Sequence, residues 1–252
     1  MFLGEHESYF YGSAKHKHRV LFSNLVTGLD AGCSTLYISS GESVDMVQAK
    51  LCNFGLKSDD PKQLQIVTSH QWYTPDGNFN ARRVVDQYRR LIDEALDNGF
   101  AGLYVSADAS DTLDYLSKKG MVKAWMNYEH SLGTTFKFPM EAICAYNVKQ
   151  IKSNDQFLFQ LVKAHKHTIS LKSETRISNE QLLRSTLYRQ LKNILGETTT
   201  TLFFDYLENY NSKQNGPLTI DNLWDLLQPI LREGHSSIKQ KILEEIYARI
   251  EL

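Results

Sequence analysis

The alternation of strand-like and helical segments over residues 18–170 limits the folds open to this 252-residue chain. Four short runs rich in β-branched and aromatic residues are predicted strands. They are STLYISS (34–40), LQIVTS (64–69), AGLYVSA (101–107) and EAICAYN (141–147). Between them, segments such as ARRVVDQYRRLIDEALDNG carry apolar residues at helical spacing and end in glycine. This order predicts an α/β fold with a mostly parallel sheet flanked by helices.

Beyond about residue 170 the strand patterns stop and helical ones follow. SNEQLLRSTLYRQLKNILG opens on a Ser178/Gln181 capping-box pattern, and TTTLFFDYLENY is a second predicted helix. TIDNLWDLLQPILREG is a third, bent near Pro229, and SSIKQKILEEIYARIEL is an amphipathic fourth. We therefore predict an α/β domain at 1–171 and a small all-α domain at 172–252, with the boundary in the polar segment KSETRIS.

Charge and hydropathy exclude several classes of partner. The net charge of −1 gives no reason to expect nucleic-acid or anionic-membrane binding, and no apolar run approaches the roughly 20 residues that a membrane helix needs. The N-terminus lacks a basic-then-apolar signal pattern, which predicts a cytoplasmic protein. Residues 170–252 hold 10 Lys/Arg and 11 Asp/Glu, so no direct DNA binding is predicted.

The last predicted helix carries an isoleucine at every fourth position, beside a face of alternating charges. The four residues are Ile238, Ile242, Ile246 and Ile250. Such a seam favours helix packing over insertion into a DNA groove, so we expect a homodimer or a regulatory protein partner.

The cysteines and histidines do not form a recognisable metal or disulfide pattern. No C-x-x-C pair occurs among Cys33, Cys52 and Cys144, which favours buried free thiols, with a single redox sensor as the alternative. Two H-x-H pairs, at 16–18 and 165–167, have the spacing of zinc ligands, but the lysines beside them repel a cation. We expect surface histidines and no metal or other cofactor.

The stretch YGSAKHKHRVLF (11–22) stands where a nucleotide-binding domain places its phosphate loop. It lacks the second glycine and the Gly-Lys-Ser/Thr that hold phosphates and magnesium. We expect a solvated basic loop, and the alternative is a loop that attracts an anion at the start of the following helix.

The loops after the predicted strands supply the other candidate residues, because ligands of open α/β sheets bind at the carboxyl ends of the strands. Glu42 and Asp108 each follow a strand, and we expect helix capping, or for Glu42 a charge at the helix N-terminus, rather than catalysis or Mg²⁺ binding. Trp72, Tyr73 and Phe79 share the loop SHQWYTPDGNFN. Two interpretations of these rings stay open, a wall over an apolar ligand and a loop packed on its own side chains.

A series of motifs between His6 and Ile169 resembles the MEDS domain, the methanogen/methylotroph DcmR sensory domain. The motifs occur in the order HESYFYGS, VLFSNLVTGLDAGCSTLYISSGES, LCNFGL, WYTPDGNFN, NGFAGLYVSADAS, YEHSL, AICAYN and HKHTI. The family often continues its strand into an acidic residue followed by Met-Ser-Trp. Here ADASDTL offers Asp108 without the tryptophan. The helical tail resembles small output domains of archaeal regulators.

The resemblance implies a RecA/KaiC-like fold without ATPase activity, used as a sensory module in transcriptional regulation. KaiC-like ATPases place a catalytic carboxylate where Glu42 stands, so a divergent nucleotide-binding ATPase is one alternative and a ligand-free structural adaptor another. We expect no catalytic residue, and a small organic or anionic ligand. The candidate ligand-binding residues are His6, Tyr11, Lys15, His16, Glu42, Trp72, Tyr73, Phe79 and Asp108.

Overall fold

A single seven-stranded sheet forms the centre of the protein. The computed structural model describes residue 4 and residues 6–56, 62–134, 138–152, 155–170, 175–214 and 234–249. The strands are β1 (His6–Tyr11), β2 (Ser34–Ser39), β3 (Leu64–Thr68), β4 (Leu103–Asp108), β5 (Met140–Asn147), β6 (His167–Ile169) and β7 (Arg176–Ser178). The helices are α1 (Ala14–Asp30), α2 (Val44–Phe54), α3 (Ser69–Tyr73), α4 (Ala81–Asp97), α5 (Ser110–Lys118), α6 (Val122–Thr134), α7 (Val148–Lys152), α8 (Asp155–Ala164), α9 (Asn179–Leu195), α10 (Glu197–Gln214) and α11 (Gly234–Arg249).

The strand order is β3-β2-β4-β5-β1-β6-β7. Every neighbouring pair is parallel except β6 and β7, which run antiparallel. Parallel neighbours need crossover connections, and helices supply them. The predicted α/β class, with a mostly parallel sheet flanked by helices, is confirmed.

Side chains alternate between two buried faces of the sheet. Tyr9 and Tyr37 point to the face covered by α1 and α2, where Leu21, Leu25 and Val47 complete the core. The opposite face carries the larger core, formed by residues of α3–α9 and continued by α10 and α11. Both faces are buried, as parallel sheets require.

Three strands and four helices, α3, α5, α7 and α8, were not predicted. The first is β1, which had no strand prediction although all six of its residues are buried. The others are β6 and β7, which have three residues each, and the latter extends the sheet beyond residue 170. The predicted loop at 69–80 contains α3, which begins with a capping box between Thr68 and Gln71. The helix predicted at 219–234 lies outside the described residues.

The C-terminal helices pack on the sheet domain at two places: α9 contacts α8 and β7, and α11 contacts α8. Ser178 caps α9 by accepting a hydrogen bond from the Gln181 amide, as the sequence pattern predicted. Ile238, Ile242 and Ile246 of α11 are all buried in the protein's own core. These three residues of the seam therefore pack within the chain itself, and a homodimer or a regulatory protein partner stays a prediction. The fourth isoleucine, Ile250, lies outside the described residues, and the domain boundary at 171/172 also stays a prediction.

Among the described helices, none combines the length and the apolar character that crossing a membrane would require.

Candidate functional site

A cluster of charged side chains lies where β1, β2 and β4 end. In the sheet, β2 adjoins β4, and β5 alone separates β4 from β1. Because these strands are all parallel, the carboxyl ends of β1, β2 and β4 lie at the same edge of the sheet. Tyr11 is the last residue of β1 and Asp108 the last residue of β4. Glu42 follows β2 by three residues. The structure thus brings three of the predicted site residues together.

Lys17 stands at the centre of this edge cluster. Its ammonium nitrogen is 3.0 Å from Oδ2 of Asp108 and 3.2 Å from Oε2 of Glu42. Only 5% of its side chain is exposed. Burial lowers the pKa of Lys17, but the attraction of Asp108 and Glu42 outweighs burial and the pKa is raised. The expected solvated basic loop is therefore wrong at this position, since Lys17 is a buried cation paired with two carboxylates.

The local backbone explains why Lys17 points inward. Only Gly12 and Ser13 separate the end of β1 from the start of α1. The Ser13 hydroxyl caps the helix by accepting a hydrogen bond from the His16 amide. Lys17 consequently lies in the first turn of a helix that faces the sheet.

Two further basic groups surround Glu42. His18 Nε2 lies 2.7 Å from Glu42 Oε2, and Lys50 of α2 contacts Oε1. Burial raises the pKa of Glu42, but Lys50, His18 and Lys17 together lower it to about 2. Ser43, not Glu42, is the cap of α2. Of the two roles expected for Glu42, a cap or a charge at the helix N-terminus, the cap is therefore wrong; the carboxylate directly precedes the cap of α2 and accepts ion pairs there.

Asp108 is completely buried and its carboxylate is held from several sides. Besides Lys17, the Tyr11 hydroxyl donates to Oδ2 at 3.0 Å, and the backbone amide of Ser110 donates to Oδ1 at 3.1 Å. The amide contact lies at the start of α5, but Ala109 is the N-cap of this helix, so the expected capping role is not realised by Asp108. Burial and the Asp108 charge both raise the pKa of Tyr11, so this phenol stays neutral.

The edge cluster is nearly self-neutralised, and this limits its chemistry. The carboxylates of Glu42 and Asp108 face two ammonium groups and one imidazole, so neither of these two is left as an unpaired general base. Oxygen ligands of the kind Mg²⁺ prefers are present, but Lys17 already binds both carboxylates. The arrangement is suited to holding three elements in register.

The remaining candidates of the first loop lie at its surface. Lys15 is exposed and His16 is half-buried, on the outer side of the first turn of α1. His16 and His18 lie at the carboxyl edge of the sheet. His165 and His167, by contrast, lie at the amino end of β6. The two H-x-H pairs therefore do not come together, and the expectation of surface histidines is wrong for His165, which is 3% exposed.

The three aromatic candidates pack into the protein rather than over the edge. Trp72 and Tyr73 belong to α3, Phe79 precedes α4, and all three are buried. Tyr73 and Phe79 contact both Trp125 and Tyr128 of α6, which are also buried. Of the two interpretations of this loop, the geometry agrees with self-packing.

A surface groove of about 360 Å³ reaches this aromatic group from outside. It runs between α4 and α6, and its walls include Val85, Ala124, Asn127 and Tyr128. Arg82 and Arg89 lie on the α4 side. The volume is within the range of small-molecule sites.

His6 does not join the edge cluster. It begins β1, roughly 16 Å along the strand from Tyr11 at about 3.3 Å per residue. Its imidazole is buried beside Glu129, Cys144 and His165. Sequence spacing did not reveal this group, because its members come from β1, α6, β5 and the turn before β6. Of the cysteines, Cys33 and Cys144 are buried as expected, whereas Cys52 is exposed.

Comparison with known proteins places the chain in a family. Residues 5–166 match the family described as MEDS, MEthanogen/methylotroph, DcmR Sensory domain. No curated protein matches significantly. Among solved structures, the assembled ATPase EscN from the enteropathogenic E. coli type III secretion system is 11% identical. That alignment covers 97% of this chain and 67% of the EscN chain, with a TM-score of 0.46. Since the family match spans well over half of its length, the chain belongs to the MEDS sensory-domain family.

Proposed function

We propose that this protein is a non-catalytic, signal-sensing regulator whose RecA-like sheet has exchanged its nucleotide site for an internal ion cluster. The observation that carries the proposal is the buried Lys17 ammonium between Asp108 and Glu42. A magnesium ion bound by these carboxylates would displace Lys17 and leave a buried cation without partners. That displacement costs several kcal/mol.

The connection from β1 to α1 supports the same conclusion. A phosphate loop wraps successive backbone amides around the phosphates, and the G-x-x-x-x-G-K-[ST] pattern provides the residues for it. Here two residues connect strand and helix, and the Ser13 side chain already caps the helix. Phosphate binding at this edge lacks both the backbone and the side chains it needs.

The signal, in this proposal, is a small organic or anionic molecule, and the helices α9–α11 pass its binding to a regulatory partner. The groove between α4 and α6 supports a small organic ligand, because it has an aromatic wall at Tyr128, whereas Arg82 and Arg89 at its rim are paired with Asp86 of the same groove. A cytoplasmic location and a role in transcriptional regulation are parts of the same proposal. The balanced charge of residues 170–252 favours a protein partner over direct contact with DNA.

The first experiment separates this function from a divergent ATPase. Titration calorimetry with ATP and Mg²⁺, together with a phosphate-release assay on the full chain, should give no saturable heat and no hydrolysis. Saturable binding of Mg·ATP accompanied by hydrolysis would overturn the proposal in favour of the ATPase alternative.

The second experiment separates sensing from a ligand-free adaptor. A thermal-shift screen with small organic acids, alcohols and halogenated hydrocarbons should find a saturable stabiliser. Ala124→Trp, which fills the groove, should abolish that shift, and Lys123→Trp, at the neighbouring exposed position, should leave it unchanged. A screen without any saturable stabiliser would support the adaptor.

A further inference from the structure

A second group of titratable side chains is buried far from the charged edge. His6 of β1, Glu129 of α6, Cys144 of β5 and His165, just before β6, direct one ligand atom each toward a common centre. All four ligand atoms lie within 4.8 Å of one another. The exposed fraction is 4% or less for every one of these residues. We call them the His-Glu-Cys-His cluster.

The distances between the ligand atoms resemble the edges of a coordination tetrahedron. His6 Nε2 is 3.3 Å from Cys144 Sγ and 3.2 Å from Glu129 Oε2, and His165 Nε2 is 3.4 Å from that same oxygen. Metal–ligand bonds of about 2.0–2.3 Å at tetrahedral angles place neighbouring ligand atoms about 3.3–3.6 Å apart. The side chains therefore need little movement to enclose a four-coordinate ion.

Hydrogen bonding leaves this cluster incomplete. Glu129 Oε2 and His165 Nε2 are buried without a hydrogen-bond partner of acceptable geometry, although only 3.4 Å separates them. The other nitrogen of His165, Nδ1, lies 2.7 Å from the Leu161 carbonyl, to which only an N–H can donate. In the neutral ring this fixes the proton on Nδ1 and leaves a lone pair on Nε2 facing the carboxylate oxygen. Two facing lone pairs require a cation or a proton between them.

Surrounding groups orient two of the four ligands, His165 and Glu129, as the outer shell of a metal site does. The Leu161 carbonyl holds one imidazole, and the Tyr146 hydroxyl donates to Glu129 Oε1 at 2.8 Å, which directs Oε2 to the centre. Tyr146 lies on the same strand face as Cys144. The positions of these groups are set by packed elements rather than by mobile loops.

The charges of the ligand set match a divalent cation. A thiolate and a carboxylate together neutralise two positive charges, so the loaded cluster carries no net charge into the core. Without an ion, burial lowers the pKa of His6 and of His165 to about 3, and burial raises the pKa values of Glu129 and Cys144. A zinc-bound cysteine is a thiolate, so loading the cluster releases the thiol proton.

We propose that His6, Glu129, Cys144 and His165 form a tetrahedral zinc site. Nitrogen and sulfur ligands select zinc over magnesium or calcium, which prefer oxygen. Four protein ligands leave no position for a reactive water, so the site ties β1, β5, α6 and the start of β6 together instead of catalysing hydrolysis. This inference does not depend on the proposed function, because the cluster is separate from both the charged edge and the groove.

The test uses the full-length chain, stripped of metal and then titrated with Zn²⁺ and, separately, Co²⁺. Elemental analysis should find one zinc per chain after desalting, and zinc should raise the melting temperature. Cobalt should give the sulfur-to-metal charge-transfer band and the intense visible bands of tetrahedral coordination.

Cys144→Ser should remove the charge-transfer band, and Glu129→Gln should weaken cobalt binding at least about tenfold. Cys33→Ser is the matched control, because it removes a buried thiol that lies outside the cluster and should leave both readouts unchanged. Circular dichroism establishes that each variant is folded before titration.

Tyr146→Phe provides a test that keeps all four ligands. It removes only the hydroxyl that orients Glu129 and should weaken cobalt binding by about 10- to 100-fold. Folded wild-type protein that retains no stoichiometric zinc, or a charge-transfer band that persists in Cys144→Ser, would overturn the proposal. In that case a shared proton between Glu129 and the histidines explains the cluster.

Discussion

At the residue scale, one side chain determines what the carboxyl edge of the sheet can do. Lys17 lies in the first turn of a helix, where sequence spacing alone does not decide whether a side chain faces solvent or the sheet. The carboxylates of Asp108 and Glu42 compensate for its burial, and Tyr11 and Ser110 satisfy the remaining oxygens of Asp108. Each charge in this cluster is stable only while its partners are present.

Replacing Lys17 by methionine should therefore destabilise the fold strongly. The change keeps the aliphatic length but leaves Asp108 buried without its cation, and such a loss costs about 3–5 kcal/mol. Urea unfolding monitored by circular dichroism measures the difference. Lys15→Met, in the same turn but exposed, should change the free energy of unfolding by less than about 0.5 kcal/mol. Equal effects of the two substitutions would contradict the buried ion pair.

The edge cluster also predicts a dependence of stability on acid. The pKa of Glu42 is lowered from 4.5 to about 2 in the folded protein. A lowered carboxyl pKa stabilises the fold fully above the unfolded value, and this contribution is lost as the pH falls from 4.5 toward 2. We expect Glu42→Gln to remove about 1–3 kcal/mol of pH-dependent stability from that window.

Urea unfolding at a series of pH values between 5 and about 2 tests this dependence. The matched control is Glu94→Gln, which removes an exposed carboxylate from α4. Its stability profile should follow that of the wild type. If Glu42→Gln also follows the wild type, the ion cluster does not lower the pKa of this carboxyl group.

At the element scale, α1 approaches the sheet unusually closely through Gly28. A Cβ atom at this position would lie 2.6 Å from Cβ and Cγ of Tyr104 on β4. In an exposed helix, replacing glycine by alanine stabilises by roughly 0.5–1 kcal/mol. Here the clash involves a strand side chain that cannot move away at its root, so Gly28→Ala should instead destabilise by about 1–3 kcal/mol.

Thermal unfolding of two single variants in α1 tests the sign of this effect. Ser23→Ala replaces an exposed residue of the same helix and should leave the melting temperature unchanged or slightly raised. Gly28→Ala should lower it. A rise for both variants would mean that α1 moves outward and that its contact with β4 is loose.

Residue patterns predicted four of the seven described strands, and the three missed strands are those in which such patterns are weak. The four predicted strands are long enough to show β-branched enrichment, whereas β6 and β7 have only three residues each. The residues of β1, HESYFY, are three polar residues followed by three aromatic ones, a sequence without the alternation typical of a strand, and specific partners are available to the buried polar side chains. Ser8, for example, pairs with Thr168 at 2.8 Å, a partner 160 residues away.

The site was also predicted only in part, because its contacts join residues that are far apart in the sequence. The rule that ligand loops gather at the carboxyl ends of parallel strands correctly brought Tyr11, Glu42 and Asp108 together. The cation between them was not foreseen, because the length of the β1–α1 connection decides whether Lys17 points inward. Cys144 was interpreted from a local pattern alone, and its proximity to His6 and Glu129 depends on the strand order.

At the scale of the whole molecule, the sheet and the C-terminal helices share one hydrophobic core. Leu187 of α9 and Ile246 of α11 belong to the same buried group as Trp125 and Tyr146. On the sheet side, Arg176 of β7 contacts the buried carboxylate of Glu7 on β1. A signal that changes the packing of the sheet domain therefore has a continuous route to α9–α11.

The first residue of α9 is the polar part of this connection. Asn179 is 1% exposed, and its side-chain amide donates to the carbonyls of Val162 and His165, each at 3.0 Å. Asn179→Ala leaves two buried carbonyls without this donor, which should cost about 1–3 kcal/mol. Asn193→Ala, at an exposed position of the same helix, is the matched control.

Because the core is continuous, the wild-type chain should unfold in a single transition despite the different composition of its two parts. Near-ultraviolet circular dichroism reports on the aromatic group of the sheet domain, and far-ultraviolet circular dichroism reports on all the helices. The two signals should share one urea midpoint in the wild type and shift together to a lower midpoint in Asn179→Ala. If the far-ultraviolet signal decreases first while the near-ultraviolet signal persists, α9–α11 unfold independently. Binding energy gained in the sheet domain then has no rigid path to the C-terminal helices.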